Sequence, residues 1–229
     1  MTPNRFALRA LWFLVAKDLV GEFRARRAWP AMLLLGLVLV VLVEMQIELP
    51  SEQKHGVICG LFWLDVFFAG TLALERSLVS ERDEGCWRTL FLYPISPALI
   101  FMAKMAVNFM ALVLLELVLI PAFVVFANVE LLANPLMLGL VAVLGNLGFV
   151  SVGVTLSALT NHSSQKAGLL ALILLPLLSP VLVAAAEATR LAMYGEWNEQ
   201  WWSWIQLLAA FAVLFTTLGL VLFPSAVEE

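Results

Sequence analysis

Long uninterrupted runs of apolar residues constrain this chain more than any other feature. Six stretches approach or exceed the roughly 20 apolar residues that an α-helix needs to cross a bilayer. They are Trp29 to Leu49, Val57 to Leu78, Pro97 to Ala127, Pro135 to Leu159, Ala167 to Ala188 and Trp202 to Phe223. Charged residues make up only 13% of the chain, whereas a soluble domain carries about 25%. The sequence therefore predicts an all-α integral membrane protein with six transmembrane helices.

A single membrane domain, residues 1–229, suits this length, with the six-helix bundle over residues 29–223. Residues 1–28 place charged side chains such as Arg5, Lys17 and Asp18 opposite an apolar side. This pattern predicts an amphipathic helix in the headgroup plane of the membrane, and a plain basic tail is the alternative. The chain contains no G-x-x-x-x-G-K-[ST] motif, so it has no P-loop of its own for ATP.

Lysine and arginine are distributed unevenly between the two sets of loops. The N-terminal segment and the loop after the second span are basic, whereas the opposite side has only Lys54 and Arg190. Because cytoplasmic loops carry the excess of these residues, both termini are predicted to face the cytoplasm. The outer connection ATRLAMYGEWNEQWW, Ala188 to Trp202, is predicted to enter the outer leaflet as short helices. An aromatic belt is the favoured interpretation of Trp197, Trp201, Trp202 and Trp204.

Two carboxylates, Asp65 and Glu116, fall well inside predicted spans. An ionised carboxylate there costs about 2.5–3.5 kcal/mol on insertion scales, so such residues are functional candidates. The alternative is that they face the bundle interior and hydrogen-bond to Asn108, Asn146 or Thr71. Neither has a histidine or a second carboxylate at a metal or catalytic spacing, which argues against an intramembrane enzyme.

The histidines and cysteines give weaker indications. His55 and His162 are conceivable haem ligands, but solvated loop residues are the favoured interpretation. Cys59 and Cys86 are predicted on opposite sides of the membrane, and their spacing indicates neither a disulfide, a metal site nor a redox motif.

Proline and small residues predict local features of the fourth and fifth spans. Pro176 and Pro180 each remove a backbone donor, which predicts a bent fifth span. Small residues three apart in the fourth span predict close helix packing. They are Ala142, Gly145, Gly148 and Ser151.

The stretch ERDEGCWRTLFLYPISPALIFMAK, residues 81–104, is charged at its start and then rich in aromatic residues. Ser96 suits a helix N-cap and Pro97 a first helical residue, so the third span is predicted to start there. Residues 86–93 can form a short helix before Pro94. Its apolar surface suits docking to a partner protein, and a purely interfacial connector is the alternative.

Several motifs together resemble one known family. The pattern Gly85-x4-Leu90-x-Leu92-x-Pro94 resembles the cytoplasmic loop of ABC-2-type exporter permeases, a coupling helix that fits a cleft on a separate ATPase subunit. Gly60-Leu-Phe-Trp63 and Leu72-Ala-Leu-Glu75-Arg76 narrow the match, as do Leu175-Pro176 and Pro180. Together they resemble the membrane permease B subunit of the cytochrome c maturation haem exporter (CcmB).

The resemblance implies a permease subunit in the bacterial cytoplasmic membrane that is not itself an enzyme. It implies ATP hydrolysis in a partner ATPase, haem as a possible substrate, and no metal or cofactor bound directly. Expected partners are a second copy of the chain, a haem-handling C subunit, a small accessory subunit and membrane lipids. Nucleic acid is not an expected partner. ATPase coupling is implied for Glu81, Glu84, Gly85, Trp87, Leu90 and Pro94.

The chain also departs from the family pattern. Cys86, Trp87 and Arg88 replace the usual loop residues, and Asp65 stands where a small apolar residue is usual. Two other functions stay open: a general ABC-2-type permease for a lipid, glycan or drug, and a membrane scaffold that transports nothing.

Overall fold

The structure is a computed structural model that describes residues 11–20, 28–46, 51–83, 96–127, 129–160, 169–195 and 197–228. Side chains are described within 11–20, 30–42, 55–74, 96–127, 129–156, 172–195 and 197–223. All regular secondary structure in these residues is helical. The helices are α1 (residues 11–20), α2 (Ala28–Gln46), α3 (Ser51–Asp83), α4 (Pro97–Ala127), α5 (Pro135–Thr160), α6 (Leu169–Met193) and α7 (Glu199–Glu228).

Five of these helices are long and apolar enough to cross a membrane. Their apolar segments are His55–Leu74, Pro97–Ala127, Pro135–Leu156, Leu172–Met193 and Glu199–Phe223. Five of the six predicted spans thus coincide with helices that are long and apolar enough to cross a membrane, and the number of spans stays a prediction. The first, predicted over Trp29 to Leu49, stays a prediction, because the apolar segment described in α2 covers only Pro30–Leu42.

The helix α3 extends well beyond the predicted second span. It has 33 residues, and at ~1.5 Å per residue it is about 50 Å long, against about 30 Å for the hydrocarbon core of a bilayer. Residues 79–83 continue the helix because they include good helix formers such as Glu81 and Arg82. Glu81 therefore belongs to the last turns of α3 rather than to a separate loop.

The third span begins as predicted. The carbonyl of Ser96 accepts hydrogen bonds from the amides of Leu99 and Ile100 at 2.9 and 3.4 Å, and α4 starts at Pro97. A proline that the sequence analysis did not single out, Pro121, lies inside the same helix.

Each long helix packs on several others, so the bundle has a continuous core. The helix α5 contacts α3, α4, α6 and α7, and α2 packs against α3 and α4. The predicted small-residue stripe serves this packing. A Cβ at Gly145 would lie 2.6 Å from Cη2 of Trp63 on α3, and one at Gly148 would lie 3.5 Å from Val181 on α6. Glycine at 145 thus lets the Trp63 ring lie against the α5 backbone.

Both prolines of the predicted bent span lie inside the single helix α6. Pro180 has no amide hydrogen to donate to the carbonyl of Pro176, four residues earlier. The hydroxyl of Ser179 donates to that carbonyl instead, at 2.8 Å, which supplies the partner that a freed carbonyl needs in a membrane. The bend itself stays a prediction.

The outer connection predicted over Ala188 to Trp202 forms no separate short helices in its described residues. The helix α6 continues to Met193 and ends at Gly195, which has a positive φ of 70°. The Gly195 amide donates to the Ala192 carbonyl at 3.1 Å, so a glycine turn closes the helix. Asn198 then caps α7 by accepting from the Trp201 amide at 2.8 Å. Two helix-end signals only three residues apart leave no room for further helices.

Candidate functional site

Asp65 is a buried carboxylate without a hydrogen-bond partner among the described residues. Its side chain lies in α3 and is 4% exposed, and neither Oδ1 nor Oδ2 accepts a hydrogen bond there. Gly36 of α2 faces it: a Cβ at that position would lie 3.4 Å from Asp65 Oδ1. The carboxylate therefore points towards the seam between α2 and α3. Buried polar groups are normally paired, so this one needs an explanation.

Glu116 and Asn146 form a second polar contact inside the bundle. The Asn146 Nδ2 on α5 donates to Glu116 Oε2 on α4 at 2.9 Å, and both residues are buried. This confirms one of the three partners that were considered for the two carboxylates. The other two donate to main-chain carbonyls instead: Thr71 to Phe67 at 2.7 Å and the Asn108 amide to Lys104 at 2.9 Å.

The buried side-chain atoms of Asp65, Glu116 and Asn146 that lack a hydrogen-bond partner are all acceptors. Within the described part of the bundle, Glu116 Oε1 and Asn146 Oδ1 also lack a donor, as both oxygens of Asp65 do. Such atoms are stabilised by a proton, a water molecule or a cation, because each supplies the missing positive partner. The interior is therefore able to accept hydrogen-bond donors or protons, and its described residues present no nucleophile–base pair.

A third polar contact ties the N-terminal helix to the bundle. The Lys104 ammonium of α4 lies 2.8 Å from Asp18 Oδ2 of α1, and the two side chains are 6% and 11% exposed. Leu14 and Val15 of α1 are buried, whereas Trp12 is 72% exposed. The helix α1 therefore has one face on the bundle and another facing outwards, and its predicted position in the headgroup plane stays a prediction.

A ladder of contacts joins α3 to α6 at the end of the bundle where α3 begins, which we call the His55 end. His55 Nδ1 lies 3.0 Å from the Tyr194 hydroxyl. One turn further along α3, the Cys59 thiol donates to the Met193 thioether, with 3.4 Å between the sulfurs. One turn further again, Trp63 Nε1 donates to the Thr189 hydroxyl at 2.9 Å. The two helices are thus joined by three successive side-chain contacts, spaced four residues apart along α3.

The sequence analysis missed this ladder. It considered His55 and Cys59 separately and gave no role to Met193. The spacing His55-x3-Cys59-x3-Trp63 does place the three residues on one face of a helix. The identity of the opposing helix depends on the topology, which that spacing does not contain.

The tryptophans near the start of α7 form a cluster of stacked rings. The ring centroid of Trp201 lies 5.0 Å from that of Trp197 and 5.1 Å from that of Trp202. Trp197 and Trp202 are about half exposed, but Trp201 is fully buried. Trp201 is thus a core residue rather than part of an interfacial belt, and the belt stays a prediction for its exposed neighbours.

The other predicted site residues are not described. Glu84, Gly85, Trp87, Leu90 and Pro94 of the coupling segment lie outside the described residues. The same holds for His162, and for Glu81 only the helical backbone is described. Among the described residues, three or more His, Cys, Asp or Glu side chains do not come together as a metal site.

Comparison with known proteins assigns the family. The family model for CcmB protein matches residues 9–229. The heme exporter protein B of Pseudomonas aeruginosa is 26% identical over 179 residues, which cover 78% of this chain and 80% of that protein. The heme exporter protein B of Rhodobacter capsulatus is 26% identical over 213 residues, which cover 93% of this chain and 95% of that one. With a match that begins at residue 9 and runs to the last residue, the chain is a membrane protein of the CcmB family.

Proposed function

We propose that this chain is the membrane-spanning permease subunit of an ABC-type complex for haem export in c-type cytochrome biogenesis. The observation that carries the proposal is the similarity to two proteins named heme exporter protein B, one of them over 93% of this chain. The five long apolar helices agree with a permease. The work done by the complex is either translocation of haem or release of haem from a chaperone that already holds it.

The energy for this work comes from a separate ATPase subunit, because the chain has no P-loop. The segment from Glu81 to Pro94 is the proposed docking site, with Glu84, Gly85, Trp87 and Leu90 in contact with the ATPase. The long helix α3 supports this role. The helix α3 reaches Asp83, so a displacement of the docking segment is transmitted directly to a rigid helix about 50 Å long. ATP shifts the bundle only if it changes how the ATPase binds this segment.

The proposed topology has six spans, with both termini in the cytoplasm of a bacterial cell. The 19 residues of α2 give a length of about 28 Å, close to the thickness of the hydrocarbon core, which supports a sixth span. The excess of lysine and arginine in the N-terminal segment and before α4 supports the orientation. In this topology the His55 end faces the outside and the coupling segment faces the cytoplasm. Two copies of the chain form the membrane core, beside a C subunit and a small accessory subunit.

Asp65 and Glu116 are the proposed functional residues inside the membrane. Their unsatisfied oxygens favour a hydrated or protonated interior, which suits a bundle that rearranges during a transport cycle. Pro176 and Pro180 are the proposed bending points of α6, where main-chain hydrogen bonding is already interrupted.

Affinity purification of the chain from its own host tests the partnership. We expect an ABC ATPase to co-purify in a stoichiometric amount, and its ATPase activity to rise when the two are reconstituted together in liposomes. A chain that purifies without an ATPase, and leaves ATPase activity unchanged on reconstitution, would indicate a scaffold. An associated ATPase combined with normal c-type cytochromes in the deletion strain would indicate a permease for another substrate.

A further inference from the structure

The geometry at the His55 end points to a binding site for monovalent copper, formed by the Cys59 thiolate, the Met193 thioether and the His55 imidazole. This proposal does not rest on the proposed function, since it concerns the chemistry of one cluster in the isolated chain. Its basis is the contact between two sulfur atoms from helices far apart in the sequence, beside an imidazole that contacts Tyr194, the neighbour of Met193.

The two sulfur donors are close enough to share one ion, and the imidazole lies one helical turn away. The Cys59 and Met193 sulfurs are 3.4 Å apart, so a modest opening of this gap admits an ion between them. His55 precedes Cys59 by four residues on α3, which puts the two side chains on the same face of the helix. The Tyr194 hydroxyl holds His55 Nδ1 at 3.0 Å, next to Met193 in the chain. In the tautomer in which Nδ1–H donates to Tyr194, Nε2 is free to bind a metal.

The thioether favours copper(I) over zinc, which thiolate and imidazole also bind. Thiolate and thioether sulfur are soft ligands that select Cu(I), whereas carboxylates and water suit magnesium, calcium and manganese. Glu187, six residues before Met193 on α6, pairs its carboxylate with Arg190 at 2.8 Å. Cu(I) and one thiolate together carry no net charge, so the complex suits the buried position of Cys59.

The burial of the cluster favours a bare ion over a porphyrin. Cys59 is 0% exposed, so a ligand that reaches its sulfur must be small, whereas a haem needs open space on the plane of its ring. His55 and Met193 are partly exposed and Tyr194 is 48% exposed, which gives an entry path from the His55 end. On binding, Cu(I) replaces the thiol proton of Cys59, which is released to water, and no oxidation or reduction takes place.

The test is titration of the purified chain in detergent, without oxygen, against the coloured complex of Cu(I) with bicinchoninate. We expect the wild-type chain and Cys86→Ser to withdraw one Cu(I) per chain. Cys59→Ser and Met193→Leu should weaken binding at least about tenfold, and His55→Asn similarly. The control is Met137→Leu, a buried methionine on α5, which should leave the affinity unchanged.

X-ray absorption at the copper edge of the wild-type complex keeps the test independent of how the variants fold. Two sulfur neighbours and one nitrogen neighbour of copper would support the site. Any of three results would overturn it: no withdrawal of Cu(I) by the wild-type chain, copper bound only by nitrogen and oxygen, or unchanged affinity in Cys59→Ser. Binding of haemin in place of Cu(I) would also overturn it. The side-chain contacts between α3 and α6 would then serve packing only.

Discussion

The carboxylate of Asp65 is buried beside Gly36 and receives no hydrogen bond from any described residue. A polar group in this position costs stability, because it has lost water without gaining a partner. Selection for folding alone favours an apolar side chain of the same shape. Asp65 is therefore a candidate for a role other than the stability of the resting bundle.

Replacement of Asp65 by leucine should not harm the fold. We expect Asp65→Leu to raise the free energy of unfolding in detergent, by about 1–3 kcal/mol, because a branched apolar side chain replaces an uncompensated polar one. The control is Thr71→Val in the same helix, whose hydroxyl donates to the Phe67 carbonyl. Thermal unfolding of both variants is the measurement. A clear loss of stability in Asp65→Leu would show that the carboxylate has a structural partner.

At this scale the sequence predicted part of the polar interior. Both carboxylates were recognised because a charged residue in an apolar run is conspicuous, and Asn146 was among the partners considered. The ion pair between Asp18 and Lys104 and the contact between Cys59 and Met193 were not foreseen. Each joins residues more than 80 positions apart, and local periodicity carries no information about which helices become neighbours.

The close approach of α5 to α3 depends on one glycine. Alanine at Gly145 would bring its Cβ within 2.6 Å of the Trp63 ring, whereas at Gly139 of the same helix nothing lies within 4 Å. Both substitutions gain helix propensity, up to about 1 kcal/mol. We expect Gly139→Ala to be neutral or stabilising, and Gly145→Ala to lose about 1–3 kcal/mol through overpacking. Equal melting temperatures for the two variants would contradict the packing described.

The attachment of α1 depends on the Asp18–Lys104 ion pair. In Asp18→Asn the pair loses its charge, so α1 should detach more often. We expect hydrogen exchange of the amides in residues 11–20 to become about fivefold faster, the effect of about 1 kcal/mol. The control is Lys17→Met, which removes the weaker ion pair of Asp18. The Lys17 side chain is half exposed, and its Nζ lies 3.5 Å from Asp18 Oδ1. Exchange that is unchanged in Asp18→Asn would mean that Leu14 and Val15 alone hold the helix.

The elements themselves were largely predictable, and their ends less so. Five apolar spans follow from composition, and the start of α4 follows from Ser96 and Pro97. The extension of α3 to Asp83 was missed because a charged segment after an apolar run usually indicates a loop. The helix propensity of its residues favours a helix instead. The single turn at Gly195 was missed because aromatic residues around it suggested interfacial helices.

At the scale of the whole molecule, the proposed function requires that a cytoplasmic ATPase drives the bundle through the segment after α3. We expect Gly85→Pro and Trp87→Glu to abolish the stimulation of ATPase activity by the reconstituted chain, while membrane insertion is unchanged. Proline disrupts a short helix, and a charge removes the apolar contact surface. Leu132→Ala, an exposed residue at the His55 end, is the matched control. Full stimulation in both loop variants would refute the coupling role.

The most direct test of the central claim is haem staining of c-type cytochromes in a strain that lacks this gene. Covalently attached haem should disappear from the membrane and periplasmic fractions, and the wild-type gene should restore it. Trp87→Glu should fail to restore it although the protein is present in the membrane. Normal haem staining in the deletion strain would contradict the assignment to cytochrome biogenesis.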